Sequence, residues 1–390
     1  MTLRSYVLVD NANSKPGEGD ANFAIGTSDA TFNWQVRMHT CGGGRSEGVR
    51  IIELNNGRMA IDVLPTRGMG IWRVRRDATA LGWKSPVRGP VHPSFVPVFD
   101  PSGLGWLEGF DELFCRCGLE SNGAPDFDAQ GRLLHPLHGR IANLPAHRVE
   151  LIVDEDRRQL TLRGVVEETR FHFQSLMLTT SLTTAFDSTE FAWTDEVKNI
   201  GGREATLQML YHFNVGQPLL VPGSRLTAPV SIVAPLAHAA TRSGIDNWNT
   251  MPPAMPGSKE QVFCCKLLAD DGGDTRVLLS RLANREAVSL RFNIGSLPAL
   301  TVWRNTPAEV DGYVLGIEPG TNFPNPHSFE KQHGRVVSLA PGEVWQAKVV
   351  VAWATDPAAI AREEEMIRAI QGDRKTTVHD RPREDWSATP

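Results

Sequence analysis

The chain has 390 residues, 41% of them hydrophobic, enough to bury a large core as one big domain or two smaller ones. Its formal net charge of −5 argues against a nucleic-acid-binding or membrane-surface protein. Five cysteines, placed as Cys41, Cys115-Arg116-Cys117 and Cys264-Cys265, do not form a disulfide framework and point to a reducing cytoplasm.

Met1 to Asp10 has too short an apolar core for a signal peptide, and no apolar run reaches transmembrane length. Residues 1–44 read as an N-terminal arm. Strand patterns dominate from about residue 50 to 355. Ile51-Ile52-Glu53-Leu54, the turn Asn55-Asn56-Gly57 and Met59 to Leu64 predict a hairpin, because Asn and Gly tolerate the positive φ of a tight turn. Trp83 to Pro136 is long, irregular and rich in Gly, Pro and aromatics, as expected of a binding wall rather than a polar linker. Alternating runs follow at Leu160–Val166, Phe171–Leu182, Glu190–Val197 and Thr206–Phe213. Others are Ala287–Phe292, Leu300–Trp303, Val314–Ile317 and Val344–Trp353. The pattern predicts an all-β antiparallel sandwich over residues 45–355. A C-terminal helix over 356–372 is predicted by Asp356 as N-cap, Pro357 in its first turn and Gly372 at its end. Ile360, Met366, Ile367 and Ile370 make its apolar face. The polar residues 373–390 read as a disordered tail.

Three positions stand out chemically. Glu318 follows the apolar strand Tyr313 to Ile317 and opens Glu318-Pro319-Gly320-Thr321-Asn322-Phe323-Pro324-Asn325. A desolvated carboxylate there is either a general base poised near neutral pH or a strand-end turn cap. His212, in Leu210-Tyr211-His212-Phe213-Asn214, is either a satisfied core histidine or a catalytic one. His138, in Leu137-His138-Gly139-Arg140, has a glycine neighbour that allows close ligand approach or simply makes a tight turn. His135 and His138 form a His-x-x-His pair, but no Cys or carboxylate in local register completes a metal site, so none is expected. Dinucleotide, phosphate-loop and serine-hydrolase motifs are absent, so no cofactor is expected.

The segments around His138, His212 and Glu318 occur in the order found in aldose 1-epimerases, the galactose mutarotases, and the chain resembles that family over roughly residues 45 to 353. Pro65 to Gly70, Gly109-Phe110-Asp111-Glu112, His138 to Asn143 and Glu318 to Asn322 look like a poorly characterised branch of it. The resemblance implies a β supersandwich with a sugar groove over one sheet. It implies Glu318 as general base at the anomeric hydroxyl, His212 as general acid at the ring oxygen and His138 as a second histidine beside it. Arg67, Asp246 and Asn322 are the further substrate-binding candidates that it offers. The pH–rate profile implied is a bell, rising with loss of the Glu318 proton and falling with loss of the His212 proton.

Three departures leave the sugar and the reaction open. Tyr211 precedes His212 where the family's strand commonly has Asn, Phe323-Pro324 lies one residue further from the Glu, and Arg140 replaces a small or apolar residue. Arg67 and Arg140 together suggest an acidic sugar, since a guanidinium fork holds a carboxylate. Of ten tryptophans, Trp72, Trp83, Trp106, Trp248 and Trp303 are candidates for the groove walls. The alternatives are another isomerase, epimerase or lyase acting on an unusual or oxidised sugar, or a sugar-binding protein without catalysis. The expected partner is a small carbohydrate, with homo-oligomerisation left open.

Overall fold

The computed structural model describes residues 3–11, 23–29, 32–236, 244–281 and 285–388. Alternating burial builds its first sheet. In Gln159–Thr169 the side chains of Leu160, Leu162 and Val166 turn inward while their neighbours face solvent, and Ser175–Ala185 repeats the pattern. These strands sit within a nine-stranded sheet. Its order is Leu3–Asp10, Arg148–Asp154, Gln159–Thr169, Ser175–Ala185, Glu190–Asn199, Val344–Ala354, Ala287–Asn293, Asp274–Ser280 and Arg225–Thr227.

The second sheet is larger. It runs Phe23–Asp29, Phe32–Thr40, Arg50–Asn55, Ala60–Leu64, Gly70–Arg76, Phe114–Leu119 and Ala205–Val215. It continues through Val314–Gly320, Ala299–Asn305, Gln261–Leu267, Val230–Pro235 and Thr377–Val378. The two sheets pack over one apolar core, with Leu162, Leu178 and Trp193 from one and Ile52, Ile61 and Phe213 from the other. The expected all-β sandwich is the fold found.

The middle of the larger sheet explains where the site lies. Leu207, Met209, Tyr211, Phe213 and Val215 face the core, yet the intervening Gln208, Leu210, His212 and Asn214 are buried as well. The segment from Trp83 to Pro136 covers that outer face, so these strands are buried on both sides. Arg116 reaches from Phe114–Leu119 into the core between the sheets. There it binds both carboxylate oxygens of Asp195, donates to Thr180 Oγ1 at 2.6 Å and lies over the Trp193 ring.

Several boundaries differ from the sequence reading. The described residues before 45 do not form an arm: Leu3–Asp10 is a strand of the first sheet, and Trp34, Val36 and Met38 alternate into the core from the second. Phe171 is exposed in a turn, and the strand begins at Ser175. The helix Pro357–Gln371 is capped by Asp356, whose side chain accepts from Ala358 N, and ends at Gly372 with φ 55°. Ile360 and Ile367 bury against Leu278 and Ala287, but Met366 falls off that face and is exposed. The tail is not disordered through residue 388. Thr377 and Val378 pair parallel to Ile232 and Val233, and Trp386 is buried against Phe323, because an aromatic anchor and backbone pairing offset the cost of ordering a polar segment. Among the described residues no helix is long and apolar enough to cross a membrane.

Candidate active site

Strand register creates the site. Leu210 pairs with Gly320 and Phe213 with Ile317, which sets His212 directly across from Glu318 on the outer face. His212 Nε2 lies 3.2 Å from Glu318 Oε1, a contact without hydrogen-bond alignment, since buried Oε1 has no hydrogen-bond partner. Gly316 lies two residues before Glu318 on the same face. A Cβ there would come within 2.5 Å of Glu318 Oε1 and 3.2 Å of His212 Cε1, so only glycine leaves room for the pair.

The ring of His212 is oriented from below. Asn214 Nδ2 donates to Glu112 O at 3.0 Å, which turns Asn214 Oδ1 to within 2.6 Å of His212 Nδ1. Nδ1 therefore carries the hydrogen, and Nε2, the ring nitrogen nearest Glu318, is the unprotonated one in the neutral ring. His138 is held in the same way. Its Nδ1 donates to Asn122 O at 2.9 Å, and its ring stands edge-on to His212 with centroids 5.5 Å apart.

Burial dominates the electrostatics. It pushes the Glu318 carboxyl well above the usual range, and the charge of Glu260 adds to the shift. Burial pushes His212 well below its ordinary value, His138 adds to that, and the Asn214 hydrogen bond opposes it. Part of His138 opens on the pocket, yet the surrounding protein pushes it down to about 4.

A pocket of about 340 Å³ opens over the three groups. Trp106, Phe110 and Trp303 wall it, together with Leu104, Leu137, Pro324 and Val262. Trp106 stacks beside Phe110 at 4.6 Å between centroids and meets the His138 ring edge-on. Trp303 Nε1 donates to Glu260 Oε2 at 2.7 Å at the rim. Of the tryptophans singled out in the sequence, Trp106 and Trp303 line the pocket. Trp83 supports Phe110, Trp72 donates to Asp111, and Trp248 lies in the core.

The structure thus brings His138, His212 and Glu318 together and leaves the other candidates outside. Arg67 is buried beneath the site in an ion pair with Glu112, and it donates to Val91 O, Gly109 O and Asn143 Oδ1, so its guanidinium is fully engaged by protein. Arg140 lies 3.8 Å from buried Glu168, away from the pocket wall. Asn322 exchanges hydrogen bonds with Asn122 and braces the loop after Glu318. Asp246 is exposed in the turn Ile245–Asn247, outside the pocket. The acidic-sugar expectation rested on Arg67 and Arg140, and neither flanks the pocket. Glu260, Trp106 and Gly316 contribute to the site. Nothing in the local sequence of Glu260 marks it, since it precedes a strand in a stretch of ordinary polar residues. Among the described residues no cluster of three or more His, Cys, Asp or Glu is arranged for a metal ion.

A solved structure from Klebsiella pneumoniae, described as a proposed aldose 1-epimerase, is 32% identical, with all of this chain and 98% of that one covered and a TM-score of 0.91. A second proposed aldose 1-epimerase, from Escherichia coli K12, shares the fold at 17% identity and TM-score 0.54, over 79% of this chain and 100% of that one. A galactose mutarotase-like protein from Clostridium acetobutylicum does so at 14% identity and TM-score 0.54, over 81% and 98%. No curated protein matches the chain. The family model described as a domain of unknown function, DUF4432, matches residues 46–352, and the chain belongs to that family.

Proposed function

We propose that the protein interconverts the anomers of an aldose, with Glu318 as general base and His212 as general acid. The observation that carries this reading is the direct contact of these two groups at the floor of an aromatic-walled pocket. Ring opening needs a base at O1–H and an acid at the ring oxygen. The base takes the hydroxyl proton, O1 and C1 form a carbonyl, the C1–O5 electron pair passes to O5, and O5 takes a proton from the acid. Rotation about C1–C2 and reclosure on the other face give the second anomer. Both oxygens sit on one carbon, so two groups in contact serve both ends of the reaction.

The remaining assignments follow from position. Burial favours the neutral forms of both groups, whereas ring opening uses the carboxylate of Glu318 and the imidazolium of His212. His138 Nε2 is an acceptor for a sugar hydroxyl. Glu260, fixed by Trp303, takes the hydroxyl-binding role that the sequence offered to Asp246. Trp106, Phe110 and Trp303 offer faces for the C–H surface of a sugar ring. The chemistry needs no cofactor, and the reading places the enzyme in the cytoplasm with a small carbohydrate as its partner. The Klebsiella protein, by its description, supports the reaction type.

The test is a panel of aldoses followed by anomeric exchange NMR, with buffer catalysis subtracted. At least one should interconvert faster with the wild-type protein and about 10²-fold more slowly with Glu318→Gln. No acceleration of any aldose would overturn the assignment.

A further inference from the structure

We infer that the C-terminal segment beyond the helix positions the pocket, with Trp386 as its anchor. The inference uses the proposed reaction for its kinetic readout only. The segment lies outside the residues that match the family, which end at 352. It is nonetheless tied to the chain that follows Glu318. Thr377 and Val378 extend the larger sheet beside Ile232 and Val233, and His379 N donates to Val233 O at 2.9 Å. Trp386 then packs on Phe323 with centroids 5.0 Å apart. The same buried cluster contains Leu236 and Val262, both of which wall the pocket on their other side.

A second route is polar. Asn325 Nδ2 donates to Trp386 O at 2.9 Å, and Asn325 Oδ1 accepts from Ala388 N at 3.0 Å. Glu330, fully buried, accepts from Asn325 Nδ2 and pairs with Arg335, whose Nη1 donates to Asp385 O at 2.7 Å. Asn325 adjoins Pro324, a pocket wall, and Pro324 O accepts from Ala124 N at 3.0 Å. The two chains run so close that a Cβ on Gly123 would lie 2.1 Å from Asn325 O. Gly123 O in turn accepts from His138 N at 2.8 Å. An unbroken series of packed and hydrogen-bonded groups therefore joins Trp386 to the Leu236 and Val262 wall and to the backbone of His138. Packed interiors transmit such displacements rather than absorbing them. Because Glu318 and His212 are fixed by strand register, the segment shapes the binding walls and not the reacting pair.

The test uses the full-length protein with Trp386→Ala and Trp386→Phe. Trp386→Ala should raise KM for the preferred aldose about fivefold or more with kcat within about twofold, and Trp386→Phe should recover most of the change. The imidazole nitrogen resonances of His138 should move in Trp386→Ala and return in Trp386→Phe. Ala388→Pro removes one strap N–H, leaves the tryptophan, and carries the same two readouts should Trp386→Ala not fold. A lowered melting temperature with unchanged KM and unchanged His138 resonances would overturn the inference. If the wild-type protein turned over no aldose, the functional reading would fall and the His138 resonances alone would decide this one.

Discussion

His212 and Glu318 face each other across neighbouring antiparallel strands, Nε2 to Oε1 at 3.2 Å, and their environments drive their proton affinities in opposite directions. Desolvation raises the carboxyl and depresses the imidazole, so burial favours the neutral form of each group. Both shifts work against the ordinary order of a carboxylate and a histidine.

The expected pH–rate profile is still a bell, but its limbs change owners. The acidic limb marks a second proton entering the pair at His212, and the alkaline limb marks loss of the single proton from Glu318. The opposite assignment follows from unperturbed groups. Glu318→Gln should lower kcat about 10²-fold and erase the alkaline limb, while His212→Asn should erase the acidic one. Steady-state rates from polarimetry across pH check this. Near-wild-type turnover in Glu318→Gln, or an intact alkaline limb, would remove Glu318 from the chemistry.

Arg67 has a different fate from the one its sequence position suggests. Its guanidinium is spent on Glu112 and three oxygen acceptors beneath the pocket. Arg67→Met strands a buried carboxylate and should cost about 3–5 kcal/mol of stability, read by denaturant unfolding. Adding Glu112→Gln should recover part of that loss. An Arg67→Met protein of normal stability with a raised KM would return Arg67 to the substrate.

The sequence conveyed the sandwich because most strands have one wet face, and a two-residue period is visible in Leu160 to Val166 or Glu190 to Val197. It pointed to His138, His212 and Glu318 through the order of their segments, which resembles that of the aldose 1-epimerases, and the fold brings the three together. It hid Phe114–Leu119, a central strand buried on both faces with Arg116 pointing into the core, since no alternation survives there. Glu260 was hidden for a related reason. Its role depends on register with Trp303, and Gln261 pairing with Arg304 is a relation between strands some forty residues apart. The tail was misjudged because one buried Trp386 outweighs a polar composition.

Glu260 and Asp246 give a direct contrast. Glu260 stands at the pocket rim with its carboxylate held by Trp303, while Asp246 lies in an exposed turn outside. Glu260→Gln should raise KM about tenfold with a smaller change in kcat, as expected for uniform loss of binding. Asp246→Asn should leave both within about twofold. The reverse outcome would restore the carboxylate role to Asp246.

Acid should destabilise the protein through its buried histidines. His138 is held near 4 in the folded protein against an ordinary 6.5, so the unfolded chain binds the extra proton first. Its contribution to stability is complete above about 6.5 and is lost as pH falls toward 4. His212 acts in the same direction. The melting temperature should therefore drop across that window, and His138→Gln should flatten the slope. A slope unchanged in His138→Gln would show that other groups govern acid sensitivity.

Gly316 offers the sharpest geometric test, because it adjoins His212 and Glu318 without a role in the proposed reaction. It sits on the outer face of Val314–Gly320, two residues before Glu318 and opposite Trp303 in the next strand. Its backbone is not in a glycine-only conformation, so the strand itself tolerates alanine. The new methyl, however, would lie 2.5 Å from Glu318 Oε1 and 3.2 Å from both His212 Cε1 and Trp303 Cβ. Strand pairing fixes the backbone on both sides, so the carboxyl must rotate away from His212. Gly316→Ala should then lower kcat about 10²-fold, close to Glu318→Gln, with only a modest fall in melting temperature. Full activity in Gly316→Ala would mean that the contact between the two groups is dispensable, and with it the acid–base pair.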